Sequence, residues 1–427
     1  MSQTVRRVAV IGGVRIPFCR SNTFYADQNN LGMMTAALQA VVDRYDLSGK
    51  HVDEAVGGAV VTHSRDWNLA REAVLGSRLA PSTPGITMMQ ACGTSLQAAA
   101  GSAAKIATGQ IECAIAMGSD TTSDPPIVVS KRLARRLRDA SLVKSTWDKV
   151  KIFKDIGPAE LAPQPPSVAE PRTGLTMGQH CELMAKEWKI PRGDQDQLAV
   201  ESHLKAAAAY REGWMDDLIV PFAGVFRDNN VREDTSVEKL AQLKPAFDRE
   251  AGTLTAGNST PLTDGAAAVL LASEDWAARH GLKPQAWLTH VETAANNFVA
   301  GDGLLMAPTI AVSSMLRKAG DLKLQDFDFY EIHEAFAAQV LCTLKAWEDP
   351  IYCRDKLGRD VPMGPIDRSR LNVKGSSLAV GHPFAATGAR IVANMAKLLA
   401  GGGGRGLISI CTAGGMGVAA IMESAAA

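Results

Sequence analysis

Two stretches of this chain share one local pattern, and any fold must accommodate both. In the first, Ile86-Thr87-Met88-Met89 reads as a strand and Gln90-Ala91-Cys92-Gly93-Thr94-Ser95 as a turn. A small-residue helix, Leu96 to Thr108, then stops at Gly109, and Glu112 to Met117 returns as a strand closed by Gly118. In the second, apolar Leu378 to Val380 leads into Gly381-His382-Pro383-Phe384-Ala385-Ala386-Thr387-Gly388, a helix from about Ala389 to Leu399, glycines 401 to 404 and the strand Gly406 to Ile410. Each unit sets a chemically able side chain just before a small-residue helix and brings a strand back afterwards. Doubled alternation of this kind predicts a layered α/β protein with two similar halves.

The remainder fits around those units. Arg7 to Gly12 reads as a first strand and Ala36 to Tyr45 as a helix. From Ser130 to about Arg249 the chain turns charged and loop-rich, with Pro163-Gln164-Pro165-Pro166 and an alanine-rich helix over Asp194 to Glu212, the texture of an inserted subdomain. Ala251 to Ala272 recovers the core texture, with Gly257-Asn258-Ser259-Thr260-Pro261 as a turn before a strand over Ala266 to Leu271. The expected division is 1–129 and 251–275 for an N-terminal half, 130–250 for the inserted loop subdomain and 276–427 for a C-terminal half. A length of 427 residues suits two to three domains.

Composition excludes several classes. Forty-five basic residues balance 45 acidic ones, so no global field draws the chain to nucleic acid or to an anionic membrane. No apolar run approaches the roughly 20 residues of a spanning helix. Met1 to Arg15 lacks the apolar stretch of a signal peptide because Gly12-Gly13 ends it early. Seven cysteines (Cys19, Cys92, Cys113, Cys181, Cys342, Cys353, Cys411) are odd in number, scattered and never spaced as a metal-binding pair, which reads as reduced thiols in a cytoplasmic protein without a metal.

A free cysteine is usually a small buried hydrophobe, but the position of Cys92 changes that reading. At a helix N-terminus, unpaired N–H groups and the dipole favour a thiolate, so Cys92 is expected to have a lowered pKa and to serve as a nucleophile. Gln90-Ala91-Cys92-Gly93 touches a caspase signature, but Thr94 replaces its next glycine. His382, crowded by glycine and alanine and followed by Pro383, suits close approach of a ligand or another segment. His333-Glu334-Ala335-Phe336-Ala337 lacks the second histidine of a zinc protease motif. Cys411 opens Thr412-Ala413-Gly414-Gly415-Met416-Gly417, where backbone N–H groups can approach a ligand oxygen. No lysine–serine pair marks a phosphate loop, and no third glycine a dinucleotide fingerprint. Two cysteines and two histidines, three of the four in glycine-rich turns, fit acyl transfer through a thioester.

Taken in order, these motifs resemble the thiolase family over essentially the whole chain. The resemblance rests on Val14-Arg15-Ile16-Pro17-Phe18, Gln90-Ala91-Cys92, Gly252-Thr253-Leu254-Thr255-Ala256-Gly257-Asn258 and Asp264-Gly265-Ala266-Ala267-Ala268. It continues through His333-Glu334-Ala335-Phe336-Ala337, Gly381-His382-Pro383 and the glycine turn after Cys411. His333, where most thiolases have asparagine, together with Pro383-Phe384-Ala385-Ala386-Thr387-Gly388 and Lys244-Pro245-Ala246-Phe247-Asp248, is most similar to the β-subunit of fatty acid oxidation (trifunctional) complexes. One departure is Gly375-Ser376-Ser377, where the family usually has paired glycines.

The resemblance implies a layered αβαβα thiolase fold and a 3-ketoacyl-CoA thiolase, cleaving 3-ketoacyl-CoA with coenzyme A as co-substrate and no other cofactor. It implies Cys92 as acylated nucleophile, His382 as its base and a donor to the thioester oxygen, Cys411 as acid/base at the α-carbon, and His333 in place of the asparagine of an oxyanion hole. Backbone N–H groups of Cys92 and Ala413 form the second hole, and Arg232, Met177, Ala256, Thr260, Ala335 and Phe336 match coenzyme A and pocket positions. Alternatives are a short-chain acetyl-CoA acetyltransferase, a ketoacyl synthase, against which Cys411 argues, and a non-catalytic scaffold subunit. A homodimer is implied. A basic cluster, Lys131-Arg132, Arg135-Arg136, Arg138, Lys144, Lys149, Lys151 and Lys154 around Trp147, is either a solvated face or a dock for a hydratase–dehydrogenase α-subunit or a membrane surface.

Overall fold

The computed structural model describes residues 5–426, so Met1 to Thr4 of the expected N-terminal segment and Ala427 lie outside it. Ten strands are described: β1 (Val8–Arg15), β2 (Cys19–Arg20), β3 (Glu54–Gly58), β4 (Gly85–Thr87), β5 (Cys113–Asp120), β6 (Thr263–Ser273), β7 (Ala286–Ala295), β8 (Phe329–Ile332), β9 (Arg405–Thr412) and β10 (Met416–Ser424). Nine run in the order β4-β3-β5-β6-β1-β7-β10-β9-β8, with β2 beside the start of β6.

Apart from the edge strand β4, that order is a palindrome of pairings. On one side β3 and β5 are parallel while β6 and β1 follow antiparallel; on the other β8 and β9 are parallel while β10 and β7 follow antiparallel. The two halves meet antiparallel at the pairs Ala9–Trp287 and Val10–Ala286. The duplication expected from sequence is therefore present in the pairing itself. The apolar stretch Leu378 to Val380 is not a strand: Ser377–Val380 takes one helical turn, and the parallel partner of β9 is β8. Residues in that stretch are spent on presenting the next turn, not on the sheet.

Strand β6 shows why the sequence reads as a continuous apolar run. Ala267, Val269 and Leu271 face a central core shared with the Thr94–Ala107 and Thr387–Gly402 helices, while Ala266, Ala268 and Leu270 face an outer core shared with the Asn30–Arg44 and Leu69–Gly76 helices. Strand β10 repeats this, Val418, Ala420 and Met422 pointing to the central core and Ala419 and Ile421 to a third core with the Ala307–Lys318 and Ala337–Glu348 helices. Two half-sheets with both faces buried thus enclose two small-residue helices, giving five layers, αβαβα.

The central helices can approach because glycine takes the tightest positions. A Cβ on Gly388 would lie 2.4 Å from the Leu96 amide nitrogen, and one on Gly118 would lie 2.0 Å from the Ala385 carbonyl oxygen. Gly118 therefore sits inside β5, two residues before its end, rather than closing it. The chain between β5 and β6 supplies further helices, among them Lys131–Leu142, Thr146–Ile152, Met177–Glu187 and Arg192–Arg211. A buried ion pair ties it to the first half: the Arg15 guanidinium donates to both Asp228 oxygens at 2.6 and 2.7 Å, and the Phe18 amide donates to the same carboxylate at 2.7 Å.

Candidate active site

The two repeated units bring their reactive side chains together at the N-terminal ends of the central helices. Cys92 lies just before the Thr94–Ala107 helix, and His382 lies in the turn before the Thr387–Gly402 helix. The His382 Nε2 is 3.1 Å from the Cys92 Sγ, and its Nδ1 is 2.6 Å from the Thr387 Oγ1. Strand β8 ends one residue before His333, whose amide donates to the Ser409 carbonyl at 2.8 Å and so lies beside β9. The rings of His333 and His382 are 4.1 Å apart between centroids, and the donor atoms of Cys92, His333 and His382 all lie within 4.8 Å of one another.

The backbone is arranged around that contact. Ala91 adopts φ +45°, a left-handed conformation costly for a residue with a Cβ, which turns the chain sharply enough to present Cys92. The Ser95 hydroxyl donates to the Ala385 carbonyl at 2.5 Å and accepts from the Ala389 amide at 2.8 Å, pinning the start of the first helix to the His382 turn. The Asp120 carboxylate, at the end of β5, accepts from the amides of Val60, Val61 and Ala385. Pro383 precedes the single 3-10 turn Phe384–Ala386, as its fixed φ favours.

Burial sets the electrostatics. Cys92, His333, His382 and Cys411 are 8%, 0%, 4% and 1% exposed. Burial, with the Asp120 carboxylate nearby, pushes the Cys92 thiol up to about 12, although the amides of Ala413 and Cys92 itself point at the sulfur and pull it down. This corrects the expectation of a lowered thiol: desolvation of a buried anion outweighs donors at a helix terminus. Burial and the Arg390 cation push His382 down to about 3. The resting site is accordingly a neutral thiol against a neutral imidazole. Burial drives His333 well below its ordinary value and, with the Cys92 sulfur near, drives the Cys411 thiol well above.

The remaining expected positions fall in two places. The Thr260 amide and hydroxyl both donate to the Ala335 carbonyl, each at 3.1 Å, and Phe336 pairs with Ser259 and packs edge-on to Phe247 at 5.8 Å. Met177, first residue of its helix, packs half-buried against the same core. Ala256 and Arg232 are on the outside, the Arg232 amide donating to the His203 Nδ1 at 3.2 Å. Several motif residues are architectural. The Glu334 carboxylate accepts from Ser202, Asn372 and the Leu378 amide, and Asp264 accepts from the amides of Thr122 and Ser123. Sequence reasoning missed Asp120, Ser95, Thr387 and Arg390; the serines of Gly375-Ser376-Ser377 were the one visible signal.

Residues 8–275 match the thiolase N-terminal domain and residues 282–424 the thiolase C-terminal domain. The chain belongs to the thiolase family. Thiolases are acyltransferases, and the paired cysteine and histidine turns of this one lie where its two domains meet. Among curated relatives it is 41% identical to a 3-ketoacyl-CoA thiolase of Shewanella sp. (strain W3-18-1) and 41% identical to one of Yersinia pestis (strain Pestoides F), each over 98% of this chain and 97% of the relative. Among solved thiolases it resembles human mitochondrial 3-ketoacyl-CoA thiolase in complex with CoA, with TM-score 0.82 and 27% identity over 99% of both chains. It also resembles Bacillus anthracis acetyl-CoA acetyltransferase, with TM-score 0.81 and 28% identity over 99% of this chain and 100% of that one.

Proposed function

We propose that this thiolase is a 3-ketoacyl-CoA thiolase of fatty acid β-oxidation, working through an acyl-Cys92 intermediate. The observation that carries the reading is the 3.1 Å contact between the Cys92 sulfur and His382 Nε2 inside a buried site that holds both groups neutral. Sulfur attack on the C3 ketone moves the thiol proton to His382 Nε2, and the amides of Cys92 and Ala413 stabilise the oxyanion. The C2–C3 bond then breaks, its electron pair forming the acetyl-CoA enolate. Cys411 protonates that enolate at C2, while His333 and His382 face the thioester oxygen. In the second half-reaction the coenzyme A thiol gives its proton to the Cys411 thiolate and attacks the acyl-Cys92 carbonyl. Cys92 leaves as the shortened acyl-CoA forms, and recovers its proton from His382.

Coenzyme A fits this reading as co-substrate, since solved relatives include thiolases in complex with it. On this reading Arg232 meets the nucleotide part of coenzyme A, and Met177, Ala256, Thr260, Ala335 and Phe336 are pocket positions. A short-chain acetyl-CoA acetyltransferase is the second reading, supported by the structural likeness to such an enzyme at 28% identity. In this reading the chain divides at 129, 250 and 275 into its two halves and the inserted subdomain, and it acts as a cytoplasmic homodimer. Among the described residues no helix is long and apolar enough to cross a membrane. The Lys131–Leu142 and Thr146–Ile152 helices expose Leu142 and Trp147 beside their lysines and arginines, which supports docking to an α-subunit or an anionic lipid surface.

The deciding experiment is thiolysis by purified protein of acetoacetyl-CoA against a long-chain 3-ketoacyl-CoA, with Cys92→Ala as control. Long-chain preference, and a loss of about 10⁴-fold or more in the variant, is expected. Preference for acetoacetyl-CoA moves the assignment to short-chain metabolism, and undiminished thiolysis by the variant refutes the nucleophile.

A further inference from the structure

His333 leans on a buried chain of donors that no motif announced. Its Nδ1 lies 2.8 Å from the Ser377 Oγ, and the Arg390 guanidinium donates to that same oxygen at 2.8 Å. Arg390 also donates to the Ser376 hydroxyl at 3.2 and 3.3 Å and faces the Glu331 carboxylate at 3.6 Å. All five residues are at most 2% exposed. The far nitrogen of His333, Nε2, is buried without a hydrogen-bond partner, and a ring nitrogen of His333 lies within 4.8 Å of the Cys92 and His382 donor atoms.

A guanidinium only donates, so it occupies a lone pair of Ser377 Oγ and leaves the hydroxyl proton to be placed. His333 Nδ1 is the acceptor within reach, which makes Nδ1 the bare nitrogen and puts the ring proton on Nε2. His382 needs the opposite tautomer, because its Nε2 must accept the Cys92 proton; its Nδ1–H then donates to Thr387 Oγ1. Two imidazoles 4.1 Å apart are thus given opposite roles by the hydroxyl each rests on.

We propose that Arg390 and Ser377 are positioning residues that hold His333 as a neutral Nε2–H donor to the thioester oxygen of the substrate. The inference rests on the thiolase reading above. It also explains the departure at Gly375-Ser376-Ser377, because both serine hydroxyls cradle the guanidinium. The groups acting on the two histidines are Cys92, in the turn before the first central helix, and Arg390 from the second; Cys411 of β9 lies by Cys92, and Glu331 of β8, Glu334 and the Arg15–Asp228 pair surround Arg390. A buried cation there opposes protonation of either ring.

The test compares Ser377→Ala, Arg390→Met and Arg390→Lys with the parent enzyme. Tautomers are read from ¹⁵N shifts of labelled histidine, resonances being assigned with His333→Asn, and folding is checked by thermal melting. Expected are a His333 Nε2–H tautomer in the parent, its loss or mixing in Ser377→Ala, and a fall in kcat of about 10- to 100-fold with little change in KM. Arg390→Met should move the acidic limb of kcat/KM to higher pH, and Arg390→Lys should move it back. If Arg390→Met does not fold, Ser377→Ala decides alone. An unchanged tautomer and unchanged kcat in Ser377→Ala overturn the proposal. The tautomer measurement needs no turnover, so failure of the thiolase reading, seen as an active Cys92→Ala, is distinguishable from failure of this one.

Discussion

The Cys92–His382 pair shows how burial and contact divide the work at the residue scale. A thiol pushed up to about 12 beside an imidazole pushed down to about 3 does not ionise at rest, so proton transfer accompanies attack rather than preceding it. A free imidazole titrates at 6.5, whereas His382 stays neutral far below that, so kcat/KM of the parent enzyme should stay level as pH falls from 7 to about 5. A pH–rate profile with an acidic limb near 6.5 would contradict it. The same displacement acts on stability. The folded ring binds its proton less readily than the unfolded one, so its contribution is whole above 6.5 and is lost as pH falls towards 3.

At the scale of elements, the site depends on how closely the His382 turn can lie on β5. A Cβ at Gly118 would meet the Ala385 carbonyl oxygen at 2.0 Å, with backbone on both sides of the clash. Gly118→Ala should therefore cost about 1–3 kcal/mol and lower kcat by displacing the turn. Gly101 lies in the adjoining layer, within the Thr94–Ala107 helix, but nothing lies within 4 Å of its Cβ position. Gly101→Ala should gain about 0.5–1 kcal/mol and leave thiolysis unchanged. Thermal melting and kinetics on the two variants check both statements; equal effects would show that close approach of the His382 turn does not govern the Gly118 position.

For the whole molecule, the unfinished feature is the sheet edge. Strand β4 pairs on one side with β3 and leads directly into the Cys92 turn, while Ile86 is 42% and Met89 62% exposed. An open apolar edge invites pairing with a second copy, which is how the proposed homodimer would close. Sedimentation should give a dimer for the parent and a monomer for Ile86→Lys with Met89→Lys. Activity should fall with it, because the turn carrying Cys92 is continuous with that edge. A variant that remains dimeric places the interface elsewhere.

Sequence by itself determined the duplication and the layered α/β class, because those rest on local periodicity, and the ordered motifs carried the family resemblance that implies five layers and the four proposed reactive side chains. The Gly388 and Gly118 positions and the small-residue helices already encoded a core too tight for larger side chains. Tertiary structure alone decided the rest. Leu378 to Val380 has strand-like composition, yet Phe329–Ile332 occupies the place beside β9, and the choice was made by pairing across the sheet. The Cys92 thiol was expected to be lowered by its helix terminus and is raised, because the depth of burial is a sum over every layer around it. Arg390 carries no local sign of its role and Ser377 only the departure from paired glycines; they reach His333 only after Ser377, 44 positions away in the chain, folds against it with Arg390 behind, and a hydrogen bond of that range is invisible to spacing.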